Sequence, residues 1–431
     1  MMRPLPPIVR VRQRFEGQPE LTDVAGEVER AILQSHLSGR VTRGGRVAIT
    51  VGSRGIAGLA TIVRSAVGAI RYLGFRPFVV AAMGSHGGGT AEGQRALLAE
   101  LGVTEATVGC PIQSSMETVV LGRNSFGLPI HFDASAYDAD GIVLLNRVKP
   151  HTSFRGRYES GLIKMLVVGL GKRQGAAQVH KLGLPGLERL IPEVGRSLLE
   201  KTPVALGLAI LENARERTAR IVALEPEELL EGEPLLLEEA RRLIGRLPFR
   251  HADVLVVGEL GKNYSGTGLD PNVIGRQRVE TMPDLDRPQV TRLVVLDLSP
   301  ETRGNALGVG LADLITIRLR DAIDPEPMRV NSLTSNFLTR CRIPLALESD
   351  RAVLEAALDT CWRANWSEAR MALIPNTLEL ETLWVTPALR DELEGDVEVD
   401  SVPLPIPFDG DGRVDQPTLF PESTQGRRAR R

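Results

Sequence analysis

Short runs of aliphatic and β-branched residues alternate with longer amphipathic stretches in the first half of the chain. Residues 46–51 (RVAITV) predict a buried strand, and residues 56–73 predict an apolar helix. Residues 75–82 predict the next strand, and Thr90 predicts an N-cap for a helix that ends at Leu101. A third strand is predicted at residues 141–145. This alternation is typical of an α/β protein with a mainly parallel sheet and helices on both faces.

A second α/β block follows an acidic, leucine-rich helical stretch at residues 225–247. Its clearest strands are residues 253–257 and 292–297, with the glycine-rich loop 266–276 between them. At 431 residues the chain exceeds what one hydrophobic core usually serves. We therefore predict an N-terminal domain over 1–247, a C-terminal domain over 248–410 and a disordered basic tail over 411–431. Because domain interfaces are preferred ligand sites, we expect an active-site cleft between the two α/β domains.

The composition excludes several classes of function. Lys and Arg (52) nearly balance Asp and Glu (54), so no global field favours nucleic acid or a membrane surface. The cysteines at 110, 341 and 361 are widely spaced without a CxxC, which excludes a disulfide scaffold or a cysteine-built metal cluster. No apolar run approaches the roughly 18 residues of a membrane span. We expect a soluble cytoplasmic protein that acts on a small molecule.

The chemistry-bearing residues concentrate in the first half of the chain. Only six histidines occur, and three of them, His86, His151 and His180, lie in the same region as Lys164. His86 lies in MGSHGGGT and His151 in KPHTSFRG, loop sequences that favour exposed, working imidazoles over core packing. His86, His151 and Arg54 each follow a predicted strand. Ligands bind beyond the carboxyl ends of parallel strands, so these residues predict a binding site.

Each residue also has a simpler interpretation when it is taken alone. A histidine in a glycine loop can serve only to hydrogen-bond nearby carbonyls, and Lys164 can cap a helix. Arg54 and Asp270 can be surface charges. Residues 169–175 (GLGKRQG) resemble a dinucleotide fingerprint, but the last spacing is one residue too long and no clear strand precedes it. A nicotinamide-dependent dehydrogenase is therefore disfavoured.

Taken together, these motifs resemble the nickel-pincer-nucleotide-dependent lactate racemase family, from about Arg46 to about Arg320. In that family a lysine carries the pincer nucleotide through a thioamide bond, and the matching residue is Lys164 in ESGLIKM. The resemblance implies that His180 binds nickel and that His86 and His151 are the acid/base pair. It further implies that Arg54 and Ser53 bind the substrate. The implied cofactor-binding residues are Gly87, Gly88, Asp270, Asn272 and Arg278.

The implied reaction suits these residue types. The carbon–hydrogen bond of a 2-hydroxy acid is too weakly acidic for ordinary proton abstraction, so inversion requires removal and return of a hydride. One neutral imidazole takes the hydroxyl proton, and return to the opposite face requires a second. Imidazole suits nickel as a ligand, and arginine binds a carboxylate in bidentate fashion. Cofactor-biosynthesis proteins are the implied partners.

The chain also departs from the lactate-racemizing pattern. Ile274 and Gly275 replace the aromatic and amide residues expected in the second-domain motif, and Arg278 replaces a lysine. Arg155 and Arg157 add charge between His151 and Lys164. These changes predict a larger or more anionic 2-hydroxy acid than lactate. The alternative is a non-racemizing homologue that binds a nucleotide or an acidic metabolite.

Overall fold

The structure, a computed structural model, describes residues 3–15, 17–53, 55–279 and 282–429. The chain folds into two compact units. One consists of residues 18–244, and the other combines residues 1–17 with residues 245–431. Across the described ranges no helix is long and apolar enough to cross a membrane.

The unit formed by residues 18–244 is built on a six-stranded sheet. Its strands, in spatial order, are β4 (Ile112–Gln113), β3 (Arg76–Ala81), β2 (Arg46–Val51), β7 (Gly141–Arg147), β8 (Val204–Glu212) and β9 (Thr218–Leu224). A separate hairpin pairs β5 (Thr118–Arg123) with β6 (Pro129–Asp133). The helices are α1 (Val24–Leu33), α2 (Leu37–Arg40), α3 (Leu59–Tyr72), α4 (Ala91–Glu100), α5 (Glu105–Val108), α6 (Ala134–Tyr137), α7 (Leu162–Lys164), α8 (Lys172–Lys181), α9 (Gly183–Lys201) and α10 (Leu229–Leu243).

The sheet is parallel through its first five strands, and only β9 runs antiparallel to its neighbour. Successive residues of β2 alternate between two apolar cores: Val47 and Ile49 pack on one face of the sheet, and Ala48 packs on the other. Burial on both faces is what an uninterrupted aliphatic strand such as RVAITV requires. The predicted parallel α/β sheet is therefore confirmed, and Thr90 caps α4 by accepting from the Gly93 amide at 3.0 Å.

The second unit is built on an eight-stranded mixed sheet. In spatial order its strands are β13 (Leu345–Leu347), β12 (Leu314–Thr316), β11 (Gln289–Leu298), β10 (His251–Leu260), β14 (Met371–Ile374), β15 (Thr382–Val385), β1 (Val9–Gln13) and β16 (Val397–Val399). The first five are parallel, and the others pair antiparallel. Its helices are α11 (Pro271–Ile274), α12 (Ile317–Asp321), α13 (Pro325–Ser335), α14 (Asp350–Thr360), α15 (Pro387–Arg390), α16 (Gln416–Leu419) and α17 (Thr424–Ala429).

The observed units differ from the predicted domains at both ends of the chain. The first strand, β1, pairs with β15 and β16 and so belongs to the second unit, because its buried valines complete that sheet. Residues 411–429, predicted to be disordered, pack on the same unit. Leu419 is buried and its carbonyl accepts from Trp384 Nε1 at 2.9 Å. Arg428 pairs with Glu259 at 2.8 Å, so its charge is held inside the unit.

Candidate active site

The loops that follow β2, β3 and β7 emerge at the same edge of the first sheet, because these three strands are adjacent and parallel. Ser53 comes two residues after β2, and His86 follows β3. The Ser53 hydroxyl and His86 Nδ1 form a short hydrogen bond that joins the two loops. His86 is exposed, as its glycine-rich context predicted.

Gly87 and Gly88, both predicted cofactor-binding residues, occupy a 3₁₀ turn next to His86. Both have positive φ (63° and 69°), a conformation in which glycine is favoured. A Cβ on Gly87 would lie 2.5 Å from the Gly93 backbone, whereas nothing lies within 4 Å of a Cβ on Gly88. Gly87 is therefore needed for packing, and Gly88 is the one with room for a ligand.

The structure brings His151 and Lys164 together around a phenylalanine that the sequence analysis did not single out. The His151 and Phe154 rings lie 4.4 Å apart between centroids. Lys164 Nζ lies 5.4 Å from the centroid of the same ring, a cation–π distance. His151 Nδ1 accepts from the Ser153 amide at 3.0 Å, so a neutral His151 in this arrangement carries its proton on Nε2.

A fully buried carboxylate, Glu159, fixes the loop that carries His151. Its Oε2 accepts from the His151 amide at 2.6 Å, and its Oε1 lies 2.5 Å from Arg241 Nη2 on α10. Arg155 closes the turn by donating to the His151 carbonyl at 2.6 Å and lies 3.6 Å from Glu159. The positive charge of Arg155, between His151 and Lys164, therefore stabilises the loop that carries His151.

Replacing Glu159 with alanine should strongly destabilise the unit, because it leaves Arg241 and the His151 amide without their buried acceptor. We expect the free energy of unfolding to fall by about 3–5 kcal/mol in urea titrations. Exchange of the His151 amide should also become faster. Glu231→Gln is the matched control, since it breaks the exposed pair with Arg157 and should leave the free energy of unfolding nearly unchanged. Equal losses in the two variants would contradict the assignment.

The segment that carries Lys164 packs against the ends of β2 and β3. Helix α7 runs directly into a π-helix, Met165–Gly169, a distortion that is frequent at functional sites. The Gly169 carbonyl accepts from the Gly84 amide at 3.1 Å, and the Thr50 hydroxyl donates to Met165 Sδ at 2.8 Å. Lys164 is partly buried at this edge of the sheet.

Lys172, the other lysine in this segment, has a purely structural environment. It is 0% exposed, lies 2.7 Å from Asp133 Oδ2 and donates to the Ala81 carbonyl at 2.6 Å. A π-helix, and no strand, precedes residues 169–175, so the disfavoured dinucleotide fingerprint lacks its structural context.

For two of the predicted site residues the structure does not describe the side chain. Arg54 lies outside the described residues. Its loop is nevertheless anchored beyond it, because the Ala57 amide donates to Glu212 Oε1 at 2.8 Å, and Glu212 also pairs with Arg147 at the end of β7. His180 lies on α8, and the position of its side chain is not described. Within the described ranges no group of three or more His, Cys, Asp or Glu residues is arranged to hold a metal ion.

The predicted residues of the second unit each have a structural partner. Asp270 caps α11 by accepting from the Asn272 amide at 2.9 Å and from its side-chain nitrogen at 2.8 Å. Arg278 donates to Asp313 Oδ1 at 2.8 Å. These contacts explain the residues structurally, and their predicted role in binding the cofactor stays a prediction.

The residues that predicted a substrate larger than lactate have local structural partners. Ile274 is buried in the core of its unit. Gly275 has φ +75°, and a Cβ there would lie 1.7 Å from the Pro288 carbonyl oxygen. Arg157 pairs with Glu231, just as Arg155 and Arg278 have acidic partners. Local packing and charge pairing therefore account for these residues, and the larger substrate stays a prediction.

Comparison with known proteins identifies the domain that carries the site. Residues 12–187 match the family model described as the lactate racemase N-terminal domain. The family domain includes His86, His151, Lys164 and His180 and ends inside α9, so the predicted relationship is confirmed. No curated protein sequence matches the chain significantly.

Among solved structures, the lactate racemase apoprotein from Thermoanaerobacterium thermosaccharolyticum has the same fold. The match has a TM-score of 0.50 and 12% sequence identity, and it covers 86% of this chain and 99% of that one. The likeness therefore extends well beyond the lactate racemase N-terminal domain and includes most of both units. At this identity it supports the fold.

Proposed function

We propose that this protein racemizes or epimerizes a 2-hydroxy acid, with a nickel-pincer nucleotide attached to Lys164. The observation that carries the proposal is the grouping of His151, Phe154 and Lys164 at the strand ends of a lactate racemase N-terminal domain. The grouping puts a side chain that can transfer a proton close to the amine that would carry the cofactor.

The residues fit the cofactor. Lys164 is partly buried at the edge of the sheet where ligands bind, whereas Lys172 is enclosed and paired with Asp133. His180 is the residue that would supply a nickel ligand. When bound, the group accepts a hydride from the substrate carbon and returns it.

The chain's own residues bind the acid and move its hydroxyl proton. In the arrangement observed, His151 offers a proton from Nε2, and it can accept one there only after Nδ1 releases the Ser153 amide. His86 is paired through Nδ1 with a hydroxyl, which can donate or accept, so its Nε2 can serve in either role. Arg54 is the residue that would hold the substrate carboxylate.

The substrate class follows from these groups. An arginine and two imidazoles suit a carboxylate next to a secondary alcohol, which defines a 2-hydroxy acid. The residues that predicted a larger side chain than that of lactate have structural explanations, so lactate belongs among the candidates.

A substrate screen tests the proposal. Protein produced with the cofactor-synthesis enzymes and nickel should invert at least one acid from a set of short, branched, aromatic and dicarboxylic 2-hydroxy acids, as followed by chiral chromatography. In D₂O the product should keep its original hydrogen on the inverted carbon, because a transferred hydride does not exchange with solvent.

Two outcomes would contradict the proposal. Solvent deuterium on the inverted carbon would indicate proton abstraction. Failure of fully loaded protein to invert any acid, combined with tight binding of one of them, would favour the non-racemizing alternative.

A further inference from the structure

Helix α10 carries a carboxyl group in an unusual place. Glu233 is buried (1% exposed) and lies against the start of α7, the short helix that ends at Lys164. Its Oε2 accepts from the Ile163 amide at 2.8 Å, and it also accepts from the Leu162 amide. A residue distant in sequence therefore satisfies the first two amides of α7.

The neighbouring residue is adapted to this contact. Gly161 precedes α7 and has no side chain to cap the helix, so the amides that a cap normally satisfies need another acceptor. A Cβ at Gly161 would lie 2.3 Å from Glu233 Oε1. The glycine therefore leaves the space that the carboxyl group fills.

We infer that Glu233 is a positioning residue for Lys164. By holding the first turn of α7, it sets the direction from which the Lys164 side chain reaches the ring of Phe154, where His151 also lies. The consequence for cofactor attachment rests on the proposed function, whereas the positioning itself does not.

The ionisation of Glu233 gives this contact a distinctive signature. Burial raises the pKa of Glu233 to about 7, and the Ile163 and Leu162 amides oppose that rise. No charged side chain contributes to the shift. An acid whose pKa is raised by folding stabilises the folded state at pH values below its pKa in the unfolded chain. For Glu233 that contribution is lost as the pH rises through about 7, its pKa in the folded protein. The strength of the cap therefore changes near neutral pH.

Unloaded protein provides the test, with hydrogen exchange at Leu162 and Ile163 and acetic anhydride labelling of lysines as the two measurements. Labelling of Lys164 is expressed relative to Lys181, an exposed lysine on α8. In Glu233→Ala both amides should exchange about tenfold faster or more, since a buried amide loses its acceptor. The labelling ratio should also change.

Glu233→Gln keeps the shape of the side chain and one acceptor oxygen. It provides the test if Glu233→Ala does not fold. Between pH 5 and 8 the wild-type labelling ratio should shift more than that of Glu233→Gln, in which only the groups around the Phe154 ring, such as His151, still titrate. Leu243→Ala is the control for lost stability, because it removes a buried side chain from the far end of the same helix.

Changes of equal size in Leu243→Ala and Glu233→Ala would overturn the inference, as would a ratio that shifts with pH as much in Glu233→Gln as in the wild type. A protein that passes this test but accepts no cofactor would contradict the proposed function and leave the positioning role intact.

Discussion

Replacing Lys164 with alanine is expected to abolish covalent loading completely. Protein co-produced with the pincer-synthesis enzymes and nickel should show an adduct by intact mass, and peptide mapping should locate it on Lys164. The physical reason is access: Lys164 Nζ lies over the Phe154 ring at the edge of the sheet, whereas the ammonium of Lys172 is buried against Asp133.

Two further variants serve as controls for this result. Lys181→Ala removes an exposed lysine close in sequence and should load normally. His180→Ala should keep the adduct and lose most of its nickel, because it removes the proposed nickel ligand without touching the attachment. An adduct that persists in Lys164→Ala, or that maps to Lys172, would show the assignment to be wrong. Unchanged nickel in His180→Ala would remove His180 from the site.

Replacing either His86 or His151 with alanine should slow racemization by roughly two to four orders of magnitude, the usual contribution of a general acid or base. The expectation follows from their separate supports, because Ser53 holds His86 while Glu159 and Ser153 hold His151. Each imidazole can then serve one face of the substrate. Initial rates measured from each enantiomer, on protein with equal cofactor content, provide the test.

The equilibrium between enantiomers gives this experiment an internal check. Its constant is unity by symmetry, so both directions must slow equally in each variant. His36→Ala is the matched control, since His36 is exposed on the same unit and pairs only at the surface with Glu225. Near-wild-type racemization by either site variant would argue against chemistry that uses two imidazoles.

The sequence predicted the elements of the first sheet because their patterns are local. An aliphatic run buried on both faces, such as residues 46–51, has few structures open to it other than a central parallel strand. The positions of His86 and His151 at strand ends followed from the same pattern, and the sheet order β3-β2-β7 places their loops at one edge of the sheet, on either side of the loop that follows β2.

The environments of Ile274 and Gly275 could not be predicted from the sequence, for an equally physical reason. What surrounds a residue depends on what packs against it in the folded chain. The neighbour of Gly275 is Pro288, on the other side of a loop. The order of the tail could not be predicted either, since its basic composition does not show that Arg428 pairs with Glu259.

By itself, then, the sequence determined the α/β layers, the strand-end loops and the family of the N-terminal domain, because hydrophobic periodicity and short motifs act over a few residues. Only the tertiary structure decided which acidic residues support the site. Glu159, Glu212 and Glu233 contact backbone amides 8, 155 and 70 residues away in sequence. A buried carboxylate must find its donors wherever the fold places them, and no local pattern records that choice.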